Sequence, residues 1–200
     1  MHDQTTTGPP GRPTRTTGSR SVAALSAAVL VAARAAYGED RAGLAARAGL
    51  DVHVVHGAEG GTCPAWALPY PEFMAIAEAV AAPHPSWREL FETAAACDLL
   101  MTCLLDGDQA MATDVLADDD TRDLTVALLR WAITGDFQAA QNTGFVPPQV
   151  PSPEECEHSG HLLSDAQRTL LRQRAAALAR SCSPDAWVGA EILAIFGGVR

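Results

Sequence analysis

Apolar residues recur at steps of three and four along most of this chain, and this spacing constrains its fold more than any other feature. The first segment of this kind carries Val22, Leu25, Val29 and Ala33. Such a period is typical of an α-helix that buries one face. No segment shows the sustained alternation of apolar and polar residues that indicates a half-buried strand. We therefore predict an all-α fold.

Capping residues divide this pattern into separate helices. Asp40 and Asp51 each precede a short helical segment, where an aspartate carboxylate can accept a hydrogen bond from an unpaired backbone N–H group. Ser164 and Gln167 have the spacing of a capping box. After a first helix from residue 21, we predict helices at about 40–48, 52–58, 71–82, 86–104, 108–117, 121–134, 164–180 and 184–196.

Composition narrows the class of protein. The chain has 200 residues and a net charge of −10, and all 14 of its basic residues are arginine, a bias typical of high-GC bacterial genomes. No apolar run reaches the roughly 18 residues that a membrane span needs, and the first residues lack the apolar core of a secretory signal. Five cysteines at irregular spacing favour a reducing compartment. We expect a cytoplasmic protein with no membrane partner.

Changes in composition along the chain suggest its domain organisation. Residues 1–20 contain no aliphatic side chain after Met1 and cannot form a core. Residues 84–145 hold 11 Asp and Glu against three Arg, a net charge of −8. We therefore predict a disordered arginine-containing arm (1–20), a helical domain (21–83), an acidic helical region (84–142), a proline-rich linker or loop (143–163) and a C-terminal helical pair (164–200).

The predicted N-terminal domain contains a longer motif. A first helix ends at a glycine suited to a left-handed cap, and two short capped helices follow, joined by a glycine turn. The residues in register are Leu30, Arg34, Gly38, Arg41, Leu44, Ala45, Gly49, Val55, Glu59 and Gly61. This spacing resembles the Cro/CI-type (XRE-family) helix-turn-helix DNA-binding domain over about residues 22–82. The resemblance implies a lambda-repressor-like domain of four to five helices, followed here by a helical C-terminal region.

The same resemblance implies a set of DNA-contacting residues. The family's contact at the start of its second helix falls on Arg41, which can bind a phosphate. The recognition helix implied by the family presents Asp51, Val52, His53, His56 and Gly57 to the major groove. Family members commonly carry Ser, Thr, Gln, Arg or Lys at these positions, so the helix of this chain departs from the pattern. Histidine can donate to a guanine acceptor or a phosphate, and we expect His53 and His56 to read bases.

Three further arginines precede the first helix. Arg12, Arg15 and Arg20 lie in the predicted arm, and flexible arms of this kind can insert arginine into a narrow minor groove. The alternative is an ordinary disordered terminus.

The resemblance also favours a homodimer, because members of the family read two-fold operators. The apolar stripes of the C-terminal half can equally well pack within one monomer.

Metal sites and catalytic motifs find little support in the sequence. Cys156, His158 and His161 are residue types that bind zinc, but their spacing favours a solvated loop. The acidic cluster around residues 114–123 lacks the glycine and final glutamate of a calcium loop. The chain shows no phosphate-binding glycine loop, no HExxH and no nucleophile elbow. We therefore expect no cofactor and no enzymatic activity.

Two functional hypotheses follow from this sequence. The first is a transcriptional regulator that binds double-stranded operator DNA through the helix-turn-helix, as a dimer. The second is a protein-interaction adaptor on the same fold, either antitoxin-like or regulator-binding, whose partner binds the acidic 84–145 region. The net charge of −8 in residues 84–145 and the departure of the recognition helix from the family pattern favour the second hypothesis, because phosphate binding depends on cations. The intact spacing of the motif and the arginine-containing arm favour the first.

Overall fold

The computed structural model describes residue 22 and residues 24–82, 84–108, 120–135 and 163–197. Within these ranges the chain forms eight α-helices and no strand, which confirms the all-α fold for this part of the molecule. A short 3-10 turn that the sequence did not predict, Ala65–Ala67, precedes the fourth helix. The helices are α1 (Ala24–Ala36), α2 (Arg41–Ala48), α3 (Val52–Glu59), α4 (Tyr70–Ala81), α5 (Ser86–Asp106), α6 (Arg122–Thr134), α7 (Asp165–Ala179) and α8 (Ala186–Gly197).

Several sequence predictions fall outside the described residues. They concern Arg12, Arg15 and Arg20 of the arm, nearly all of the helix at 108–117, most of the linker at 143–163, and the residues Cys156, His158 and His161. Within the described ranges, no group of three His, Cys, Asp or Glu side chains could hold a metal ion. No helix in those ranges has both the length and the apolar character needed to cross a membrane.

The predicted helix caps are present. Asp40 accepts a hydrogen bond from the Gly43 N–H at 2.8 Å, and Asp51 accepts one from the His53 N–H at 2.8 Å. At the start of α7, Ser164 forms the complete capping box with the residue three positions on. The last helix begins at Ala186, two residues later than predicted. Local cap chemistry therefore sets the starts of α2, α3 and α7.

Helices α1 and α5 lie at the centre of the molecule. All nine residues from Leu25 to Ala33 of α1 are buried, because α3, α4, α5 and α6 pack around this helix. A helix that is apolar on all sides belongs in a core, and its many alanines let neighbouring helices approach closely. One cluster of buried apolar side chains includes residues from all eight helices.

The N-terminal end of α1 is capped by side chains of α5. The buried carboxylate of Asp98 accepts hydrogen bonds from the N–H groups of Leu25 and Ser26, at 3.0 and 2.9 Å, and from Ser26 Oγ at 2.6 Å. Thr102 Oγ1 accepts from the Val22 N–H at 3.0 Å. The first N–H groups of a helix have no partner within it, so these bonds fix the start of α1 to α5.

Two further close contacts hold helices together, one between α4 and α5 and one between α7 and α8. The rings of Phe73 on α4 and Phe91 on α5 stack with centroids 5.3 Å apart. Helices α7 and α8 pack so closely that a β-carbon built on Gly189 would lie 2.4 Å from the carbonyl oxygen of Ala175 and 2.6 Å from the backbone nitrogen of Ala179. Only glycine fits at this crossing without displacement of the backbone.

Candidate nucleic-acid interface

Helices α2 and α3 are joined by a three-residue turn, from Gly49 to Asp51. Gly49 has a φ of +66°, in the left-handed region that glycine adopts without strain. Its N–H donates to the carbonyl groups of Ala45 and Ala46, and the N–H of Leu50 donates to Ala45 at 2.9 Å. These bonds satisfy the last carbonyls of α2 and set the direction in which α3 begins.

One side of α3 is buried and the opposite side faces solvent. Val55 and Ala58 have no exposed area and pack into the core. Four of the residues that the sequence assigned to a DNA-contacting surface are exposed, and we call them the α3 surface: Asp51, Val52, His53 and His56. His53 and His56 are three positions apart and therefore share one side of the helix.

The structure places Gly57 on the inner side of α3 rather than on the α3 surface. Gly57 is buried, and a β-carbon there would lie 3.4 Å from Cys63 Cβ and 3.5 Å from Thr62 Oγ1. Its carbonyl accepts the N–H groups of Thr62 and Cys63 at 3.0 and 3.1 Å. Gly57 therefore packs against the loop that follows α3, which corrects its expected presentation to the major groove.

Arg41 has a structural partner that the sequence analysis did not identify. Its Nε donates to Glu59 Oε2 at 2.5 Å, and Nε of Arg34 donates to Glu59 Oε1 at 2.9 Å. The Glu59 side chain has no exposed area, whereas that of Arg41 is 38% exposed. The expected phosphate contact therefore involves a guanidinium whose Nε already binds a carboxylate. The ion pair could have been anticipated from the spacing of Glu59 relative to Val55 and Ala58, because that spacing places the Glu59 carboxylate on the buried side of α3.

The third arginine of this region is also paired. Arg47 forms an ion pair with Glu39, and its guanidinium lies 5.2 Å from the centroid of the Tyr37 ring. Burial raises the pKa of the Tyr37 phenol, and this effect exceeds the opposite effect of the nearby guanidinium. Each arginine in α1–α4 thus has a carboxylate partner. Residues 24–82 hold three arginines against six carboxylates, namely Glu39, Asp40, Asp51, Glu59, Glu72 and Glu78.

The buried thiols of α5 are structural rather than reactive. Cys97 Sγ lies 3.8 Å from the carbonyl oxygen of Thr125, and burial, followed by the charge of Asp98, raises the pKa of Cys97 far above its ordinary value. Burial also raises the pKa of Cys103. Because the thiolate is the nucleophilic form of cysteine, neither group has the character of an activated nucleophile.

Comparisons with known proteins assign no family to this chain. No protein-family model, curated protein or solved structure matches the chain. The resemblance to the XRE family therefore depends on residue spacing, and the candidate interface depends on the position and exposure of α3.

Proposed function

We propose that this protein is a cytoplasmic transcriptional regulator in which α2 and α3 act as a DNA-binding helix-turn-helix. The position of α3 carries the proposal. Its inner side is held by Val55 and Ala58 and by the Glu59 ion pairs, while the α3 surface faces solvent. A helix held from behind with a polar outer side can enter the major groove as a rigid unit.

The side chains of this unit have distinct roles in the proposal. The exposed imidazoles of His53 and His56 contact base edges, where a ring N–H donates to a guanine acceptor. Arg41 contacts a phosphate through the part of its guanidinium that Glu59 does not use. The arm supplies additional cations through Arg12, Arg15 and Arg20, and a homodimer provides two such contacts on a two-fold operator.

Fluorescence anisotropy tests this proposal directly. The full chain is titrated into a duplex from its own upstream region and into a scrambled duplex, at low and at moderate salt. We expect tighter binding to the native duplex and a log–log salt slope of about −0.9 for each phosphate contacted. Equal affinity for the two duplexes, or a slope near zero, would contradict the proposal.

Arginine variants locate the phosphate contact. Arg41→Ala removes the predicted contact but leaves Arg34 to pair with Glu59, and we expect a weaker affinity with a shallower salt slope. Arg47→Ala is the matched control, since this residue is also an ion-paired arginine of α2. Circular dichroism confirms that both variants fold. Equal changes in DNA affinity and salt slope for the two substitutions would show that Arg41 makes no specific phosphate contact.

A second candidate function is a protein-interaction adaptor, and the charge balance of α1–α4 favours it. Each of the three arginines there pairs with a carboxylate, and the acidic residues outnumber them two to one. A surface of this charge suits a basic protein partner better than a polyanion. Absence of binding to either duplex at low salt would favour the adaptor and direct attention to the acidic 84–145 region.

A further inference from the structure

A cleft in the C-terminal half of the chain is lined by residues of the kind found in ligand sites. It lies where α6 ends, α7 begins and α8 ends, has a volume of about 450 Å³ and is widely open to solvent. Volumes of this size are typical of small-molecule sites, which combine apolar walls with a few polar groups. The residues that matter here are Ile133, Thr134, Arg168, Thr169, Arg172 and Phe196.

The two arginines of the cleft differ in their partners. Arg168 Nη1 donates to the Ile133 carbonyl at 3.3 Å, and Nη2 forms an ion pair with Asp165. Arg168 thus compensates both the negative end of α6 and the one carboxylate that lines the cleft. Arg172 lies one turn further along α7 and is exposed, and no carboxylate within the described ranges forms an ion pair with it.

The remaining lining defines the shape of a ligand. The half-buried Phe196 offers most of the apolar wall, because Ile133, which also lines the cleft, is only 2% exposed. Thr134 and Thr169 are exposed and line the same cleft as Arg172. Arginine binds a carboxylate through two parallel hydrogen bonds, which gives geometric selectivity as well as affinity.

From these contacts we propose that the cleft binds a small organic acid. Its carboxylate pairs with Arg172, and its apolar body packs on Ile133 and Phe196. The site is separate from the α3 surface and does not depend on the function proposed for α3. Because α8 packs on both α6 and α7, a ligand bound here stabilises the folded chain.

The test uses the full chain, labelled with ¹⁵N, and two probes of the same shape. Benzoate carries the carboxylate, and benzamide is its neutral counterpart. We expect benzoate to shift the amide resonances of Thr134, Thr169 and Arg172, with an affinity of about 1 mM for so small a ligand. Benzamide should bind at least about tenfold more weakly.

Variants on the same helix decide the role of the guanidinium. Arg172→Gln should weaken benzoate binding about tenfold, because it removes a charge-assisted contact. Arg180→Gln makes the same change in charge at the end of α7, away from the cleft, and should leave the affinity unchanged. The proposal is overturned if benzoate causes no shifts or shifts elsewhere, if benzamide binds equally well, or if Arg172→Gln binds benzoate normally.

Discussion

Nε of Arg41 lies 2.5 Å from Oε2 of Glu59, whose side chain is completely buried. The other carboxylate oxygen accepts a hydrogen bond from Arg34 on α1. A buried charge without partners is strongly destabilising, and here two guanidinium groups compensate it. The resulting contacts connect α1, α2 and α3, so the orientation of the α3 surface depends on this ion triad.

The first prediction concerns the buried carboxylate of this triad. Glu59→Gln keeps the shape of the side chain but removes its charge, so both arginines lose an ionic partner. We expect a loss of about 2–3 kcal/mol in the free energy of unfolding, measured by urea denaturation. Glu78→Gln is the control, because Glu78 is 62% exposed and pairs with Arg88 in solvent, where ion pairs contribute little. Equal effects of the two substitutions would contradict this role for Glu59.

A second prediction concerns the cap that α5 provides for α1. Asp98→Ala leaves the N–H groups of Leu25 and Ser26, and the Ser26 hydroxyl, without their acceptor in a buried site. We expect a loss of about 3 kcal/mol or more in the free energy of unfolding. Asp106→Ala, at the exposed end of the same helix, should have a small effect. Comparable stability of the two variants would show that the cap does not hold α1.

The crossing of α7 and α8 gives a third prediction. Gly189→Ala forces a methyl group against the backbone of Ala175 and Ala179. Overpacking of this kind costs about 1–3 kcal/mol, which thermal unfolding followed by circular dichroism will detect as a lower Tm. Gly197→Ala on the same helix meets no atom within 4 Å and should leave the Tm nearly unchanged. An unchanged Tm for Gly189→Ala would mean that the two helices lie further apart.

The raised pKa of Cys97 predicts a dependence of stability on pH. The folded state keeps this thiol protonated, whereas the unfolded chain ionises it above the ordinary thiol pKa of 9.0. Stability is therefore fully present below that pH and decreases as the pH rises above it, with a contribution of about 1.4 kcal/mol per pH unit. Cys97→Ala should reduce this slope in urea denaturation series, and Cys182→Ala, at an exposed cysteine, should not. The same slope in Cys97→Ala and the parent chain would contradict the assignment.

The sequence predicted the starts of α2, α3 and α7 well because these boundaries depend on local chemistry. Asp40, Asp51 and Ser164 form their caps with residues two or three positions away. The caps between helices could not be predicted in this way, because Asp98 and Ser26 are 72 residues apart. A period of three and four identifies one buried side of a helix, whereas α1 is buried on every side by four neighbours.

At the candidate interface, solvent exposure follows the helical period over part of α3. His53 and His56 face solvent together, as their spacing of three positions indicates. Val52, where α3 begins, is exposed although it lies only three positions before the buried Val55. The loop after α3, however, folds back onto Gly57 and covers it. The partner of Arg41 likewise lies on another helix, 18 residues further along the chain. Such contacts depend on tertiary packing that local spacing does not encode.

The most direct test of the central claim removes both imidazoles from the α3 surface. The double variant His53→Ala/His56→Ala is compared with His84→Ala, which removes an exposed imidazole near the start of α5. Fluorescence anisotropy on the native upstream duplex should show at least about a tenfold loss of affinity for the double variant, on the scale of a lost base contact. His84→Ala should bind as the parent chain does. Unchanged binding by the double variant would contradict DNA recognition through α3.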